Sequence, residues 1–378
     1  MSEFQMVAFR AIDGPVSDKD MEYMGKQSSR AEMTPWSFDN EYEYSQFHGD
    51  AEEMLRRGYD LHVDYTNYGV RTLLIRLPHG FPNPKAAAPY TGPEFIEFKK
   101  DKHGPGGILS ISPFIECPDV EYLDDFEELV ERLIPLREEV LGGDLRPLYL
   151  AHLALACDDN HDPEETTEGP VPAGLNELTD AQQALAEFYG LSDFLISAAG
   201  RDSPDVPAQN DSKKLLAEWI KQQPESNRNE WLCQLISDPA AAVRWKIVEQ
   251  FRGSKAAPAW PTIVLGRTIA ALQSVAEDLF RKSKQRKEKT AARQRAKKFA
   301  DLAADPVPTL KETEQLALER SRESFDKIAV LLADLREAVR GTPHAGIAEV
   351  QAHKLRELHP TLGKLVAALR RQGFLTKK

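Results

Sequence analysis

Residues 59–77, YDLHVDYTNYGVRTLLIRL, decide the fold class of the first part of the chain. Apolar residues alternate with Asp60, His62 and Asp64, and a period of two is typical of a strand with one buried face. Residues 66–69 have the composition of a turn, and a second apolar run follows them. The stretch therefore predicts a β-hairpin.

Further elements surround this hairpin in an irregular order. Other strands are predicted over 4–12, 38–47, 95–98 and 108–115. Helices are predicted over 18–27, 51–57, 123–141 and 147–156, several of them with a capping residue or a stop signal. Strands and helices mixed in this way favour an α+β fold, and we expect one mixed sheet in an acidic head domain that spans residues 1–157.

The rest of the chain has mainly helical patterns. Residues 158–175 are acidic, contain proline and lack a hydrophobic period, which predicts a linker. We expect a small helical bundle over 176–257. The last part, 258–378, predicts a long antiparallel helical hairpin, or coiled coil, with arms at about 262–303 and 309–340 and with C-terminal helices after it.

Composition limits the classes of protein that the chain can belong to. Hydrophobic residues make up 41% and charged residues 29%, which is typical of a globular protein. There is no run of about 20 apolar residues, so a membrane role is not expected. The beginning does not have the pattern of a secretory signal, and three cysteines outside any CxxC pair suit a reducing compartment. These observations predict a cytoplasmic protein.

Charge is distributed unevenly along a chain whose net charge is −12. Residues 1–157 hold 15 Lys or Arg and 28 Asp or Glu, a balance of −13, whereas residues 158–378 hold 33 and 32, a balance of +1. The motifs GxxxxGK[ST], GxGxxG, GxSxG and HExxH do not occur. We therefore expect no cofactor, no metal and no catalytic residues of a recognised type.

One polar face of the head is a candidate for a metal-binding or acid–base site. Asp60, His62 and Asp64 share a strand face, and His48 and Arg71 come from neighbouring segments. Carboxylates and an imidazole on one face could bind a metal or perform acid–base chemistry. The alternative is that this face is the solvent side of a strand, because alternation always aligns some polar residues.

A basic segment over residues 281–298, RKSKQRKEKTAARQRAKK, stands out in an acidic chain. It holds ten Lys or Arg and one Glu, a balance of +9, and its apolar stripe lapses. One interpretation is an arm that binds nucleic acid or an acidic protein surface. The other is a solvated helix face that Glu312, Glu314, Glu319 and Glu323 neutralise. The candidate binding residues are Arg281, Lys282, Lys284, Arg286, Lys287, Arg293, Arg295, Lys297 and Lys298.

Two parts of the sequence carry a resemblance. Residues 9–50, FRAIDGPVSDKDMEYMGKQSSRAEMTPWSFDNEYEYSQFHGD, resemble the opening of a family of uncharacterised bacterial proteins. Residues 325–338, FDKIAVLLADLREA, and 354–375, KLRELHPTLGKLVAALRRQGFL, resemble the end of the same family. The resemblance implies a bacterial, intracellular protein in which head and tail belong together. That family has no established activity, so no functional residue follows from it.

Three functions are consistent with these patterns. The first is a non-enzymatic interaction or scaffold protein that acts on protein partners through the helical hairpin and the acidic head. The second is a nucleic-acid-associated protein that uses the basic segment. The third is an enzyme with an unrecognised site in the head, where His62 is the natural candidate for proton transfer.

Overall fold

The computed structural model describes residues 4–92, 95–104, 106–113, 125–157, 161–206, 212–237, 243, 246–248, 250–251 and 260–376. The chain divides into two compact units, Met1–Leu279 and Phe280–Lys378. This division differs from the predicted boundaries at 158–175 and 258.

A seven-stranded sheet forms the centre of the first unit. Its strands are β1 (Phe4–Arg10), β2 (Glu32–Met33), β3 (Ser37–Glu43), β4 (Leu61–Thr66), β5 (Arg71–Leu77), β6 (Ile96–Lys100) and β7 (Gly107–Ile111). They lie in the order β2-β3-β1-β4-β5-β7-β6. Two short strands, β8 (Val171–Pro172) and β9 (Thr262–Ile263), pair separately.

The first unit also contains helices, several of which cover the two faces of this sheet. They are α1 (Asp18–Met24), α2 (Ala51–Arg56), α3 (Pro84–Ala87), α4 (Phe126–Leu133), α5 (Leu136–Leu141), α6 (Arg146–Ala156), α7 (Asp180–Phe188), α8 (Asp193–Ala199), α9 (Ser212–Gln222) and α10 (Glu225–Ser237). Single 3₁₀ turns occupy Ala88–Tyr90 and Gly200–Asp202. The α+β class predicted from the sequence is confirmed.

The sheet is antiparallel, whereas the sequence predicted a mixed sheet. Every strand pair between β1 and β7 runs antiparallel. The connections explain the difference, because β4 and β5 are joined by a turn and β6 and β7 by a short loop. A parallel pair would need a crossover of a dozen or more residues.

Strand β4 shows how alternation builds two cores. Leu61, Val63 and Tyr65 are fully buried against the helices α4 to α8. The opposite face packs on α1 and α2, where Phe9 of the neighbouring strand is also fully buried. Both faces of the sheet are therefore covered, and burial of this apolar surface contributes most of the stability of the unit at about 25 cal/mol per Å².

The segment predicted as a linker is part of the first unit. Of residues 158–175, the first three lie outside the described residues, and Val171 and Leu175 are buried in the main core. The Glu168 carboxylate accepts hydrogen bonds from the Tyr149 hydroxyl at 2.7 Å and from Arg267 Nη2 at 3.0 Å. A buried ion pair holds this acidic segment in place, which composition alone did not reveal.

The helices predicted as a separate bundle over 176–257 are divided between two surroundings. Helices α7 and α8 belong to the core beside the sheet. In α9 and α10, Trp219 stacks on Trp231 with ring centroids 5.9 Å apart.

The predicted acidic helix 123–141 is two helices, because Pro135 has no N–H to continue the first one. Residues 123–124 lie outside the described part.

The second unit is a small helical assembly. The helix α11 (Ile269–Ala304) crosses the boundary between the units and is followed by α12 (Val307–Glu319), α13 (Arg322–Ala338), α14 (Ile347–Leu358) and α15 (Gly363–Arg371). Their apolar faces form one buried cluster. The first hairpin arm, predicted at 262–303, begins only at Ile269, because Thr262 and Ile263 form β9.

The second predicted arm, 309–340, is interrupted. Arg320 adopts a left-handed conformation, φ 53°, at the end of α12. Ser321 then caps α13, and its Oγ accepts a hydrogen bond from the Ser324 N–H at 3.0 Å. A left-handed residue and a fresh N-cap end one helix and begin another, so the arm is two helices that pack on each other.

Candidate functional site

His62 lies in a buried apolar environment. It is 2% exposed, and its ring stacks on Phe9 with centroids 4.1 Å apart. Its Nδ1 lies 3.1 Å from the carbonyl oxygen of Ala8, so this nitrogen carries the proton and donates. Loss of solvation lowers the pKa of His62 to about 4. The ring is therefore neutral near pH 7 and fills the second core of the sheet.

Asp64 lies two residues further along the same face. Its two carboxylate oxygens each accept from Gln5 Nε2 at 2.9 Å. Burial raises the pKa of Asp64 to about 6, and the hydrogen bond from Gln5 offsets part of that rise. Asp64 and His62 share the predicted face, where His62 is buried and Asp64 is half-buried.

Asp60 belongs to a buried structural ion pair. Its carboxylate lies 3.1 Å from Arg137 Nη2 and accepts from the Ile12 N–H at 2.6 Å and the Asp13 N–H at 3.1 Å. Arg137 is fully buried and also forms a bidentate pair with Asp13. Asp60 therefore joins β4 to α5 and to the loop after β1.

The remaining two residues of the predicted polar face lie elsewhere. Arg71 lies on the opposite face of the sheet, where its Nη1 donates to the Phe188 carbonyl at 2.5 Å. His48 is exposed in the segment before α2. In the part of the chain that the structure describes, no group of three or more His, Cys, Asp or Glu could hold a metal ion. The structure does not bring the five residues together into one site.

The basic segment 281–298 is helical throughout and exposed, with Ser283 half-buried. Lys, Arg, Gln and Ala all have high helix propensity, which explains a regular helix with little apolar surface to bury. The charged side chains therefore project from a regular helix instead of a loop.

Two surface ion pairs show the orientation of this segment within the second unit. Arg295 Nη2 lies 2.9 Å from Glu337, and Lys298 Nζ lies 2.6 Å from Asp334. Between these two pairs the residue number increases along α11 and decreases along α13. The two helices therefore run antiparallel here, as the sequence predicted for the two arms. Leu302 packs against the core of the unit on the same side.

Five cations lie on the opposite side of the helix and are called the cation row. Their spacing of four, three, four and four residues places them within an arc of about 80°, centred about 170° around the helix axis from Arg295 and Lys298. The row extends over about 22 Å at 1.5 Å per residue. Its members are Lys282, Arg286, Lys289, Arg293 and Lys297.

The predicted counter-charges do not neutralise the cation row. Glu312 pairs with Lys327 at 2.9 Å, and Glu314 pairs with Lys354 at 2.7 Å. Glu319 accepts from the Ser324 hydroxyl. Among the described residues, the structure contains no ion pair within 4.0 Å for any member of the row.

Lys289 was not among the sequence candidates, although it lies at the centre of the row. Its neighbours Arg286 and Arg293 are three and four residues away, which is the spacing of one helix face. The signal was therefore present in the sequence as helical periodicity. The candidates Lys284 and Lys287 lie toward the side that carries the two ion pairs, about 180° and 120° from the centre of the row.

Two surface depressions accompany these features. One, of about 520 Å³, lies at the C-terminal end of the cation row, where Lys297, Lys298 and Gln294 face Pro308 and Thr309. The other, of about 650 Å³, lies beside α7 and α8 in the first unit. Its only arginine, Arg132, already pairs with Asp180 and Glu187.

Comparison with models of protein families, with curated proteins and with solved structures finds no match for this chain. Within the described ranges, no helix has both the length and the apolar character that crossing a bilayer requires. Function must therefore be argued from the geometry and the charges of the molecule itself.

Proposed function

We propose that the protein is a non-enzymatic interaction protein that holds an acidic macromolecule through the basic segment 281–298. The observation that carries the proposal is the cation row, five exposed positive charges on one side of a helix without ion-pair partners among the described residues. Like charges at this spacing repel one another and destabilise the free helix. An anionic partner removes that cost, which favours binding.

The distribution of charge in the rest of the molecule supports the same proposal. The net charge is −12 and the segment contributes +9, so the other residues together carry −21. An acidic macromolecule is repelled by the acidic head, residues 1–157, and attracted only where positive charge is concentrated. Repulsion from the head therefore directs the partner to the segment.

The enzyme alternative receives less support from the head. His62 is buried and stacked on Phe9, and Asp60 is held by Arg137 and two backbone N–H groups. Catalytic acids and bases need access to a substrate in a cleft. These side chains instead hold secondary-structure elements together.

Retention on immobilised heparin, a polyanion, tests the proposal. In the row variant, all five members of the cation row are changed to Gln, which keeps helix propensity and removes the charge. The control variant removes the same number of Lys and Arg charges from exposed positions of the first unit. It carries Gln at Lys26, Arg30, Lys85, Lys102 and Arg201.

The full-length parent should bind heparin at low salt and elute as salt rises. The row variant should pass through, while the control variant should elute with the parent. Equal losses in the two variants would mean that net charge alone governs retention, and a parent that does not bind at low salt would refute the proposal. Circular dichroism checks that both variants keep their helix content.

A further inference from the structure

We infer that the acidic macromolecule is duplex DNA, held through its phosphates without regard to sequence; this inference rests on the proposed function. The cation row has no apolar anchor. The side chains beside it are Gln285, Thr290, Ala292 and Ala296. Protein interfaces depend on buried aromatic and apolar residues at their centre and are depleted in Lys. Non-specific binding to a phosphate backbone, in contrast, rests mainly on Lys and Arg charges and needs no apolar anchor.

The cation row also has no aromatic residue on which a base could stack. Phe280 and Phe299 lie about 120–140° around the helix from the centre of the row. The Phe299 ring is covered by the Arg295 guanidinium, whose carbon lies 5.0 Å from the ring centroid. Proteins that hold single strands combine a positive groove with stacking aromatics. The absence of such a residue on the row favours a duplex over a single strand.

The dimensions of the helix favour DNA over a double-stranded RNA. A helix with its side chains is about 10–12 Å across, and the major groove of B-form DNA is about 12 Å wide. The major groove of an RNA duplex is deep and too narrow for side chains to read. A row of about 22 Å extends over roughly six base pairs at 3.4 Å each.

The number of cations sets the expected salt dependence. Each phosphate that is neutralised contributes about −0.9 to the slope of log K against log salt on B-form DNA. Five contacts predict a slope of about −4.5, so affinity should fall by roughly 500-fold between 50 and 200 mM salt. If the row contacts phosphates and not base edges, as inferred, two unrelated duplex sequences should bind equally.

Fluorescence anisotropy with a labelled 20-base-pair duplex measures the slope for the full-length protein. The parent should give about −4.5, and Lys289→Gln should reduce its magnitude by about 0.9. The row variant should lose binding, whereas the control variant, which carries Gln at five exposed positions of the first unit, should keep both the affinity and the slope of the parent.

Three competitors separate this inference from the proposed function. Single-stranded DNA, duplex RNA and poly-glutamate should each displace the labelled duplex at least tenfold less effectively than unlabelled duplex DNA. If poly-glutamate or heparin binds and duplex DNA does not, the inference fails while the proposed function stands. If RNA duplex binds as tightly as DNA, or if binding differs strongly between two duplex sequences, the inference is wrong. If no polyanion binds at low salt, both fail.

Discussion

Replacing His62 should make the first unit more stable in acid relative to the parent. The pKa of the buried ring is about 4 in the folded protein, against 6.5 for a solvated histidine. Because the folded state resists protonation, the contribution of His62 is present above pH 6.5 and is lost as pH falls toward 4. A difference of about 2.5 units corresponds to about 3 kcal/mol of unfolding free energy.

Asp64 acts in the opposite direction over nearly the same range. Burial raises the pKa of its carboxyl from 3.8 to about 6. A raised carboxyl pKa means that the folded state takes up its proton first, so stability grows as pH falls from 6 to 3.8. This gain is also about 3 kcal/mol. In the parent protein, the two contributions therefore nearly cancel between pH 6 and 4.

Single variants should expose each contribution separately. His62→Phe removes the titrating ring, and between pH 6.5 and 4 its stability should rise relative to the parent by about 3 kcal/mol. Asp64→Asn removes the carboxyl, and its stability should fall relative to the parent by a similar amount. Differences between variant and parent remove the contributions of all other titrating groups that the two proteins share.

Urea unfolding at several pH values, followed by tryptophan fluorescence, provides the measurement. All five tryptophans lie before residue 280, so the signal reports on the first unit. A difference between His62→Phe and the parent that does not change between pH 6.5 and 4 would show that the ring is not held neutral by burial. Asp64→Asn gives an independent measurement if the Phe ring does not fit.

Three further results are expected. Arg137→Met should lower the unfolding free energy by about 3–5 kcal/mol in the same assay, because Asp60 would remain buried without its cation; an unchanged midpoint would contradict this. Burial raises the pKa of the Cys157 thiol to about 11, so iodoacetamide at pH 8 should modify the exposed Cys233 first, as peptide mass mapping would show; the reverse order would contradict it. Arg320→Gly should stabilise the second unit by about 0.5–1 kcal/mol, because glycine adopts a left-handed φ without strain. Thermal unfolding followed by circular dichroism should show a higher midpoint, and an unchanged or lower midpoint would contradict this.

Much of the head was predictable because its signals are local. Strand alternation, N-caps and turn residues act within a few positions, and they placed the hairpin 61–77 and the helices α1 and α2 within a few residues of their observed bounds. The strand directions in the sheet were not predictable in the same way. They depend on which segments pair across the chain, and no local period encodes that choice.

The burial of the second sheet face also depends on distant segments. Alternation placed His62 on the sheet face opposite to that of Leu61, but it could not show whether the face of His62 is exposed to water. The helices α1 and α2 cover it, and they come from other parts of the sequence. For the same reason, composition suggested a linker at 158–175, whereas the Glu168–Arg267 pair joins residues 99 positions apart.

The basic segment gave the clearest signal in the sequence, and its helical state was predicted correctly. Its counter-charges were not. The left-handed residue Arg320 separates α12 from α13, so Glu312 and Glu314 meet Lys327 and Lys354 instead of the segment. The acidic residues that pair with the segment are instead Glu337 and Asp334 on α13, which contact Arg295 and Lys298.

The order of strands in the sheet has a consequence for how copies of this chain meet one another. An open sheet ends in unpaired N–H and C=O groups, which can template a strand from another molecule and begin aggregation. At one edge β2 is only two residues long, and at the other β6 carries Lys99 and Lys100. Short and charged edges discourage such pairing. A sheet filled with apolar residues on both faces can therefore stay dispersed at high concentration, and extending β2 with apolar residues should remove that protection.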